Sequence, residues 1–259
     1  MSDLTLKLSR EEHTAIIMID NPPANTFDRS NLAQLKQMLA ELEAERDIYA
    51  LVITGAGAKF FSAGADLKQF ASGERQSAAE LTILFSEAFE ALSRFRGLTI
   101  AAINGYAMGG GLECALACDL RIAEQHAELA LPEASVGLLP CAGGTQLLPW
   151  LVGEGWAKRM ILCGERVDAA TAQRIGLIEQ RVPRGQSLSQ ALTLAKQAAR
   201  QSPGALAACK TLIQSARHQP LALNLAQERS AFVKLFETHD QREGVNAFLE
   251  KRPPVWKNA

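Results

Sequence analysis

The chain of 259 residues has no excess of charge of either sign. Lys and Arg number 27 and Asp and Glu number 28, so the formal net charge is −1, and no block of like charges occurs. A protein that binds nucleic acid carries a basic patch, and a segment that docks on an acidic membrane surface carries clustered Lys and Arg. The charge balance therefore favours neither nucleic acid nor a membrane as a partner.

Long apolar runs are missing as well. The first residues, MSDLTLKLSREEH, lack the hydrophobic core of a signal peptide, and no uninterrupted apolar stretch is long enough to cross a bilayer. The five cysteines are an odd number in mostly apolar sequence, which is typical of reduced core residues. Cys114 and Cys118 are expected to pack inward, with a nucleophilic or redox role as the open alternative. These features predict a cytoplasmic protein, and an organelle matrix remains open.

Several motifs of familiar chemistry are absent. GxSxG, GxxxxGK[ST] and GxGxxG do not occur. Their absence counts against a serine hydrolase of the α/β type, a nucleoside triphosphatase and a dinucleotide-dependent dehydrogenase. The four histidines share no metal-ligand spacing with each other or with the cysteines, so no metal site is expected.

What the sequence does contain is an alternation of short apolar runs with amphipathic segments. Strands are predicted at residues 4–8, 15–19, 50–54, 100–103, 119–123, 127–131 and 177–182. Helices are predicted at 30–46, 78–95, 112–118, 146–151, 157–162, 169–175, 188–201, 204–216, 221–236 and 242–249. Asp28 or Ser30 is the expected cap of the first helix. Strands that alternate with helices across glycine turns indicate an α/β fold with a largely parallel sheet.

The composition becomes helical after Ala157. We place the change near Gly185, which divides the chain into a sheet-containing part, residues 1–185, and a helical C-terminal part, residues 186–259. No Ser/Gly linker separates the two parts, so we expect them to pack together.

Two glycine-bearing turns each follow a buried strand: SAGAD at 62–66 and MGGG at 108–111. If the strands are neighbours in one sheet, the loops at their carboxyl ends lie side by side. One backbone N–H group from each loop could then converge on a single oxygen, as an oxyanion hole for an enolate or a tetrahedral intermediate requires. Two ordinary tight turns are the alternative that the glycines alone leave open.

Two carboxylates stand in unusual places. Glu113 lies in the first turn of an otherwise apolar predicted helix, and Glu133 follows in the stretch LPEASVG. Two carboxyl groups that face one cleft can divide acid and base roles when their environments separate their pKa values. Each also has an ordinary explanation, as a helix-start charge favoured by the macrodipole and as a solvated loop residue.

Together these motifs resemble the crotonase family and, within it, the enoyl-CoA hydratases. The matching stretches are FSAGADL at 61–67, NGYAMGGGLE at 104–113, LPE at 131–133, AGGTQ at 142–146, GLI at 176–178 and EGVNAFLEKR at 243–252. They follow in order along nearly the whole chain, which a chance motif would not do. The resemblance implies an α/β fold of stacked ββα turns, a crotonase-like superhelix. It also implies a C-terminal helical region that builds homotrimers, which often pair into hexamers.

The resemblance implies roles for individual residues. The N–H groups of Ala65 and Gly110 would form the oxyanion hole for a thioester carbonyl. Glu113 and Glu133 would activate water and deliver a proton. The residues implied in substrate and CoA binding are Lys59, Ala63, Gly64, Asp66, Leu67, Lys68, Gly109, Pro132, Gly137 and Cys141.

The activity implied is reversible syn addition of water to a trans-2-enoyl-CoA, giving a 3-hydroxyacyl-CoA, as in fatty-acid β-oxidation. No cofactor is implied beyond the CoA of the substrate. The alternatives are a double-bond isomerase, which often manages with one acid/base residue, a thioester hydrolase or decarboxylase, and a non-catalytic binder of acyl-CoA or RNA.

The sequence departs from the family pattern at three places. Cys141 stands where the family usually has glycine, Leu147 replaces a frequent basic residue, and NPPANTF at 21–27 differs from the commoner pattern. Both glutamates are retained, so we expect these departures to reshape the acyl pocket and to alter the contribution of residues 21–27 to CoA binding, and the chain length and branching of the acyl group stay open.

Overall fold

Two sheets organise residues 5–259, the part of the chain that the computed structural model describes; Leu4, where the first predicted strand begins, lies outside it. The strands are β1 (Leu6–Glu11), β2 (Thr14–Ile19), β3 (Ala50–Gly55), β4 (Phe60–Ser62), β5 (Leu98–Ile103), β6 (Tyr106–Met108), β7 (Leu120–Glu124), β8 (Glu128–Ala130), β9 (Val167–Asp168) and β10 (Gln180–Val182). The larger sheet has the order β1-β2-β3-β5-β7-β10 and the smaller sheet the order β4-β6-β8-β9. All neighbours are parallel except β1 with β2 and β8 with β9, which confirms the predicted α/β class.

The helices follow the predicted pattern closely. They are α1 (Arg29–Ala44), α2 (Arg75–Arg94), α3 (Gly110–Ala117), α4 (Gly144–Leu162), α5 (Ala169–Arg174), α6 (Ser187–Ala198), α7 (Pro203–Ser215), α8 (Leu221–Leu235) and α9 (His239–Leu249). Asp28, one of the two predicted caps, closes a capping box with Asn31 at the start of α1. Among these helices of residues 5–259, none is both long and apolar enough to cross a membrane.

Several predicted boundaries differ from the structure by a few residues, and two of the differences have a local cause. The helices expected at 146–151 and 157–162 are the two halves of α4, between which Gly153 leaves the helical conformation at φ 76° and ψ 161°. The strand expected at 177–182 is shorter, because the N–H groups of Leu177 and Ile178 donate to the carbonyl of Ala172 in the turn after α5. Only β10 then reaches the sheet.

The chain repeats one unit, ββα, three times. The pairs β3–β4, β5–β6 and β7–β8 are followed by α2, α3 and α4, respectively. The first strand of each pair lies in the larger sheet and the second in the smaller sheet. The units therefore stack on one another, and the turns that end the second strands come together along the edge of the smaller sheet.

The central strands of the larger sheet, β2, β3 and β5, are buried on both faces, which explains why they read as continuous apolar runs. In β3, Leu51 and Ile53 face the main core, which includes α1, α2 and α3. Ala50 and Val52 face the other way, towards Ala191 and Ala195 of α6. Helix α6, the first of the predicted C-terminal part, thus covers the outer face of the sheet. The division of the chain at residue 185 stays a prediction.

A buried asparagine connects neighbouring ββα units next to the glycine turns. The side-chain amide of Asn104, just after β5, donates to the carbonyls of Gly55 at 2.9 Å and Gly57 at 2.8 Å. Its oxygen accepts from the N–H of Gly55 at 3.1 Å. The turn after β3 is therefore held at a fixed position relative to the turn after β5.

We expect Asn104→Ala to lower the free energy of unfolding by about 2–3 kcal/mol, because buried backbone groups at Gly55 and Gly57 lose their partner. Asn246→Ala, at an exposed position of α9, is the matched control and should change stability by less than about 0.5 kcal/mol. Urea unfolding followed by circular dichroism measures both. Equal stability of the two variants would contradict a role for Asn104 in joining the units.

Candidate active site

A cavity of about 320 Å³ opens between the two glycine turns and the loop that follows β8. Its walls come from the end of β4, from α2, from the start of α3, from the 3₁₀ helix Glu133–Val136 and from the loop before α4. The lining residues are Thr26, Ala63, Ala65, Leu67, Phe70, Phe85, Met108, Gly109, Gly110, Glu113, Pro132, Glu133, Ser135, Val136, Leu138, Leu139 and Cys141. The walls are mostly apolar, with two carboxyl groups among them, as is common in pockets for small molecules.

The two glycine turns lie against each other, so the condition on which the predicted oxyanion hole depended is met. Strands β4 and β6 pair in parallel, so both turns emerge at the same edge. Gly64 adopts φ +87°, and a Cβ atom built at this position would stand 2.6 Å from the carbonyl oxygen of Met108 and 2.9 Å from the nitrogen of Gly110. Any side chain at residue 64 would push the turns apart.

Two backbone N–H groups at this contact have no acceptor within residues 5–259. They belong to Ala65 and to Gly110, the first residue of α3, whose N–H has no partner within its own helix. A Cβ atom built on Gly110 would lie only 3.7 Å from the nitrogen of Ala65, and both residues line the cavity. One N–H from each turn is therefore available to a ligand atom in the cavity.

Glu113 is held by the start of α4. The side chain is 2% exposed, and its Oε1 atom accepts hydrogen bonds from the N–H groups of Ala142 at 2.7 Å and Gly144 at 2.9 Å. Burial raises the pKa of the carboxyl group above its ordinary value, and the backbone hydrogen bonds oppose this without cancelling it. The carboxyl group is therefore fixed in direction and easier to protonate than a solvated glutamate.

Glu133 faces the same cavity from the 3₁₀ helix after β8. Its Oε2 atom is buried and has no hydrogen-bond partner among the described residues, while its Oε1 atom would lie 3.0 Å from a Cβ built on Gly109. Burial raises the pKa of Glu133 to about 7, and the charge of Glu113 adds to the rise. At neutral pH this carboxyl group can therefore either give or accept a proton.

Of the predicted site residues, nine line the cavity: Ala63, Ala65, Leu67, Gly109, Gly110, Glu113, Pro132, Glu133 and Cys141. Gly64 and Asp66 support the first turn from behind, since the carbonyl of Gly64 accepts from the N–H of Phe27 and Asp66 caps the following 3₁₀ helix. Lys59 and Lys68 are exposed beside that turn and outside the cavity lining, so their predicted contact with CoA phosphates stays a prediction.

Gly137 is also outside the cavity. It ends the 3₁₀ helix of Glu133 with φ +73°, so its place is structural rather than in the wall. Cys114 and Cys118 are buried in the main core, as predicted. Burial raises the pKa of Cys118 to about 12 and that of Cys114 well above its usual value, so both remain thiols.

Most of the apolar wall was not predicted from the sequence. The lining residues that were not predicted individually as site residues are Thr26, Phe70, Phe85, Met108, Ser135, Val136, Leu138 and Leu139. Four of them lie in the stretch after Glu133, and Leu139 is 67% exposed. A loop that carries three aliphatic residues close together, Val136, Leu138 and Leu139, was the available signal, because a solvated loop is usually polar.

The arrangement suits chemistry at a carbonyl compound. An oxygen placed between the N–H groups of Ala65 and Gly110 would meet two fixed donors, which stabilise negative charge in a site shielded from water. Two carboxyl groups of raised pKa face the same space and can move protons at neighbouring atoms.

Comparison with known proteins agrees with this geometry. The family model for enoyl-CoA hydratase/isomerase matches residues 9–259. The chain is 41% identical over 260 residues to the 2,3-dehydroadipyl-CoA hydratase of Escherichia coli K12, which covers 99% of each chain.

Solved structures share the fold over the full length. The structure of Pseudomonas aeruginosa DspI superposes with a TM-score of 0.96 at 63% identity, covering 98% of this chain and 97% of that one. An enoyl-CoA hydratase from Bacillus anthracis superposes with a TM-score of 0.95 at 35% identity, covering 98% of this chain and 100% of the other. The chain belongs to the enoyl-CoA hydratase/isomerase family, the crotonase family that its motifs predict.

Proposed function

We propose that the protein is an enoyl-CoA hydratase, which adds water reversibly to a trans-2-enoyl-CoA and forms a 3-hydroxyacyl-CoA. The observation that carries the proposal is the pair of carboxyl groups with raised pKa values, Glu113 and Glu133, beside two unpaired N–H groups in one cavity. Membership of the family supports an acyl-CoA thioester as substrate. The reaction needs no cofactor beyond the CoA of the substrate, and a place in fatty-acid breakdown and in the cytoplasm belongs to the same proposal.

In the proposed mechanism the thioester oxygen lies between the N–H groups of Ala65 and Gly110. A 2-enoyl thioester accepts a nucleophile at its β-carbon only if charge can collect on that oxygen. Each preorganised donor is worth about 3 kcal/mol to the resulting enolate, by analogy with measured oxyanion holes.

The two glutamates then handle the protons. Glu113, oriented by the N–H groups of Ala142 and Gly144, takes a proton from the water that attacks the β-carbon. Glu133 in its protonated form gives a proton to the α-carbon, which its pKa of about 7 allows near neutral pH. The proposal assigns both additions to the same face of the double bond, and the shared cavity of the two carboxyl groups is compatible with this.

We expect Glu113→Gln and Glu133→Gln each to lower kcat for hydration by about 100- to 10,000-fold, since each variant removes one proton carrier. The amide oxygen of a glutamine at 113 can still accept the two backbone hydrogen bonds, so the fold should survive. The decline of the enoyl-thioester absorbance of crotonyl-CoA measures the rate, and thermal unfolding checks the fold.

Glu154→Gln is the matched control, because this glutamate is 77% exposed on α4 and should leave the rate at the wild-type value. A wild-type protein that leaves crotonyl-CoA and longer 2-enoyl thioesters unchanged would contradict the hydratase proposal. If it instead converts 3-enoyl thioesters and tolerates loss of one glutamate, the isomerase alternative would replace it.

The pH profile gives a second test. Hydration requires Glu133 protonated, and its protonated fraction falls as pH rises through its pKa of about 7. We therefore expect kcat/KM to fall about tenfold per pH unit above roughly pH 7–8, and Glu133→Gln to lose this alkaline limb from its residual rate. On the acidic side, Glu113 must be ionised, and its raised pKa moves that limb above the range of an ordinary glutamate. A profile that is flat for wild type, or identical in shape for the variant, would contradict these roles.

We also propose that the protein forms homotrimers, alone or paired as hexamers. Helix α8 has no buried residue, and Leu221, Leu225, Phe232 and Phe236 form an exposed apolar stripe at helical spacing along it and one residue beyond its end. Exposed apolar surface of this kind marks interaction sites.

We expect light scattering after gel filtration to give three or six times the mass of one chain. Phe232→Asp should shift the protein towards smaller species, since it places a charge in the stripe. Gln227→Glu adds a similar charge on the opposite side of α8 and should keep the wild-type mass. A monomeric wild-type protein, or equal dissociation of both variants, would count against an interface at this stripe.

A further inference from the structure

Two residues of the loop before α4, Leu139 and Cys141, stand between the site cavity and a second, more open groove. Both residues line both spaces. The groove has a volume of about 470 Å³ and runs along α2, where Thr82, Ile83, Ser86 and Glu87 line it. Phe85 lines the site cavity from the adjacent face of the same helix. The two side chains therefore form a partition between two spaces that would otherwise join.

The partition is fixed to its surroundings. The hydroxyl group of Ser86 donates to the carbonyl of Cys141 at 3.3 Å, which ties the loop to α2. The N–H groups that hold Glu113 belong to Ala142, the next residue, and to Gly144, three residues after Cys141, where α4 begins. The position of Cys141 is thus set by the same contacts that orient the glutamate.

The thiol of Cys141 acts as an apolar wall and not as a nucleophile. Burial raises its pKa to about 12, and the charges of Glu113 and Glu133 add to the rise, so the group is uncharged at neutral pH. A neutral thiol behaves as a small hydrophobic side chain. Cys141 lines the same cavity as both carboxyl groups, and it directly precedes Ala142, whose N–H donates to Glu113 at 2.7 Å.

This location decides which part of a substrate meets the partition. In the proposed reaction the carboxyl groups act at the α- and β-carbons, so the rest of the acyl chain continues past them. We propose that Cys141 and Leu139 limit the length of the acyl group by closing the site cavity against the groove along α2. The inference rests on the proposed acyl-CoA substrate, and it concerns how the acyl chain is accommodated rather than the chemical step.

The test measures binding of saturated acyl-CoA thioesters from butyryl-CoA to palmitoyl-CoA by titration calorimetry. Removing the side chain in Cys141→Gly should open the partition, so that distal methylene groups enter the groove. Because burying two methylene groups changes affinity by roughly tenfold, the affinity for dodecanoyl-CoA relative to butyryl-CoA should rise by at least that factor.

Leu139→Ala tests the other half of the partition and should shift the same ratio in the same direction. Leu139 is 67% exposed, so this variant should fold even if a glycine at 141 loosens the loop. Cys141→Ser retains the size of the side chain and should keep a ratio near that of wild type. Cys163→Ala, at an exposed cysteine following α4, controls for loss of a thiol elsewhere.

An unchanged ratio in both Cys141→Gly and Leu139→Ala would overturn the partition, as would an equal change in Cys163→Ala. Saturated thioesters have no double bond to hydrate, so their binding is independent of the reaction. If the variants shift the ratio of dodecanoyl-CoA to butyryl-CoA affinity but the wild-type protein hydrates no enoyl-CoA, the hydratase proposal is refuted and the partition is supported. If the wild-type protein hydrates enoyl-CoA but the variants leave that ratio unchanged, the partition is refuted and the hydratase proposal is supported. A wild-type protein that binds no acyl-CoA would overturn both.

Discussion

The close approach of the two glycine turns is the constraint on which the candidate site depends. The carbonyl of Met108 and the nitrogen of Gly110 lie where a side chain of residue 64 would be, so the backbones touch directly. Parallel pairing of β4 with β6 delivers the turns to this position, and α3 begins at the contact. The direction of Glu113 follows from where α3 starts. A separation of the turns would therefore disturb the N–H pair and the first carboxyl group together.

The electrostatics of the cavity follow from burying two carboxyl groups near each other. Water that would stabilise their charges is replaced by apolar walls, and the backbone hydrogen bonds that each carboxyl group receives do not cancel the rise in its pKa. Ionisation of one group therefore makes ionisation of the other harder. The state with one proton on the pair becomes accessible near neutral pH, as a reaction that both takes and gives a proton requires.

The features that could be predicted from the sequence are those with a local pattern, namely the buried strands and the glycine turns. The central strands β2, β3 and β5 are apolar on both faces, which made them recognisable, and the glycines at 64 and 109–111 marked the turns. The strands β4, β6 and β9 are two or three residues long and carry no periodic signal. The cavity wall was missed because Leu138 and Leu139 lie in an irregular loop, where exposure depends on distant parts of the chain. Strand β4 and that wall are defined only by tertiary contacts.

The two sides of the cavity are built from different kinds of structure. The N–H groups of Ala65 and Gly110 and the carboxyl group of Glu113 are positioned by turns at strand ends and by a helix start, which packing on both sides makes rigid. The opposite wall comes from a 3₁₀ helix and an irregular loop. Side chains in that loop can change size without moving the sheet. Because loops tolerate substitution better than the elements that they connect, the apolar side chains at 136, 138 and 139 can vary in the proposed hydratase while the N–H groups of Ala65 and Gly110 stay in place.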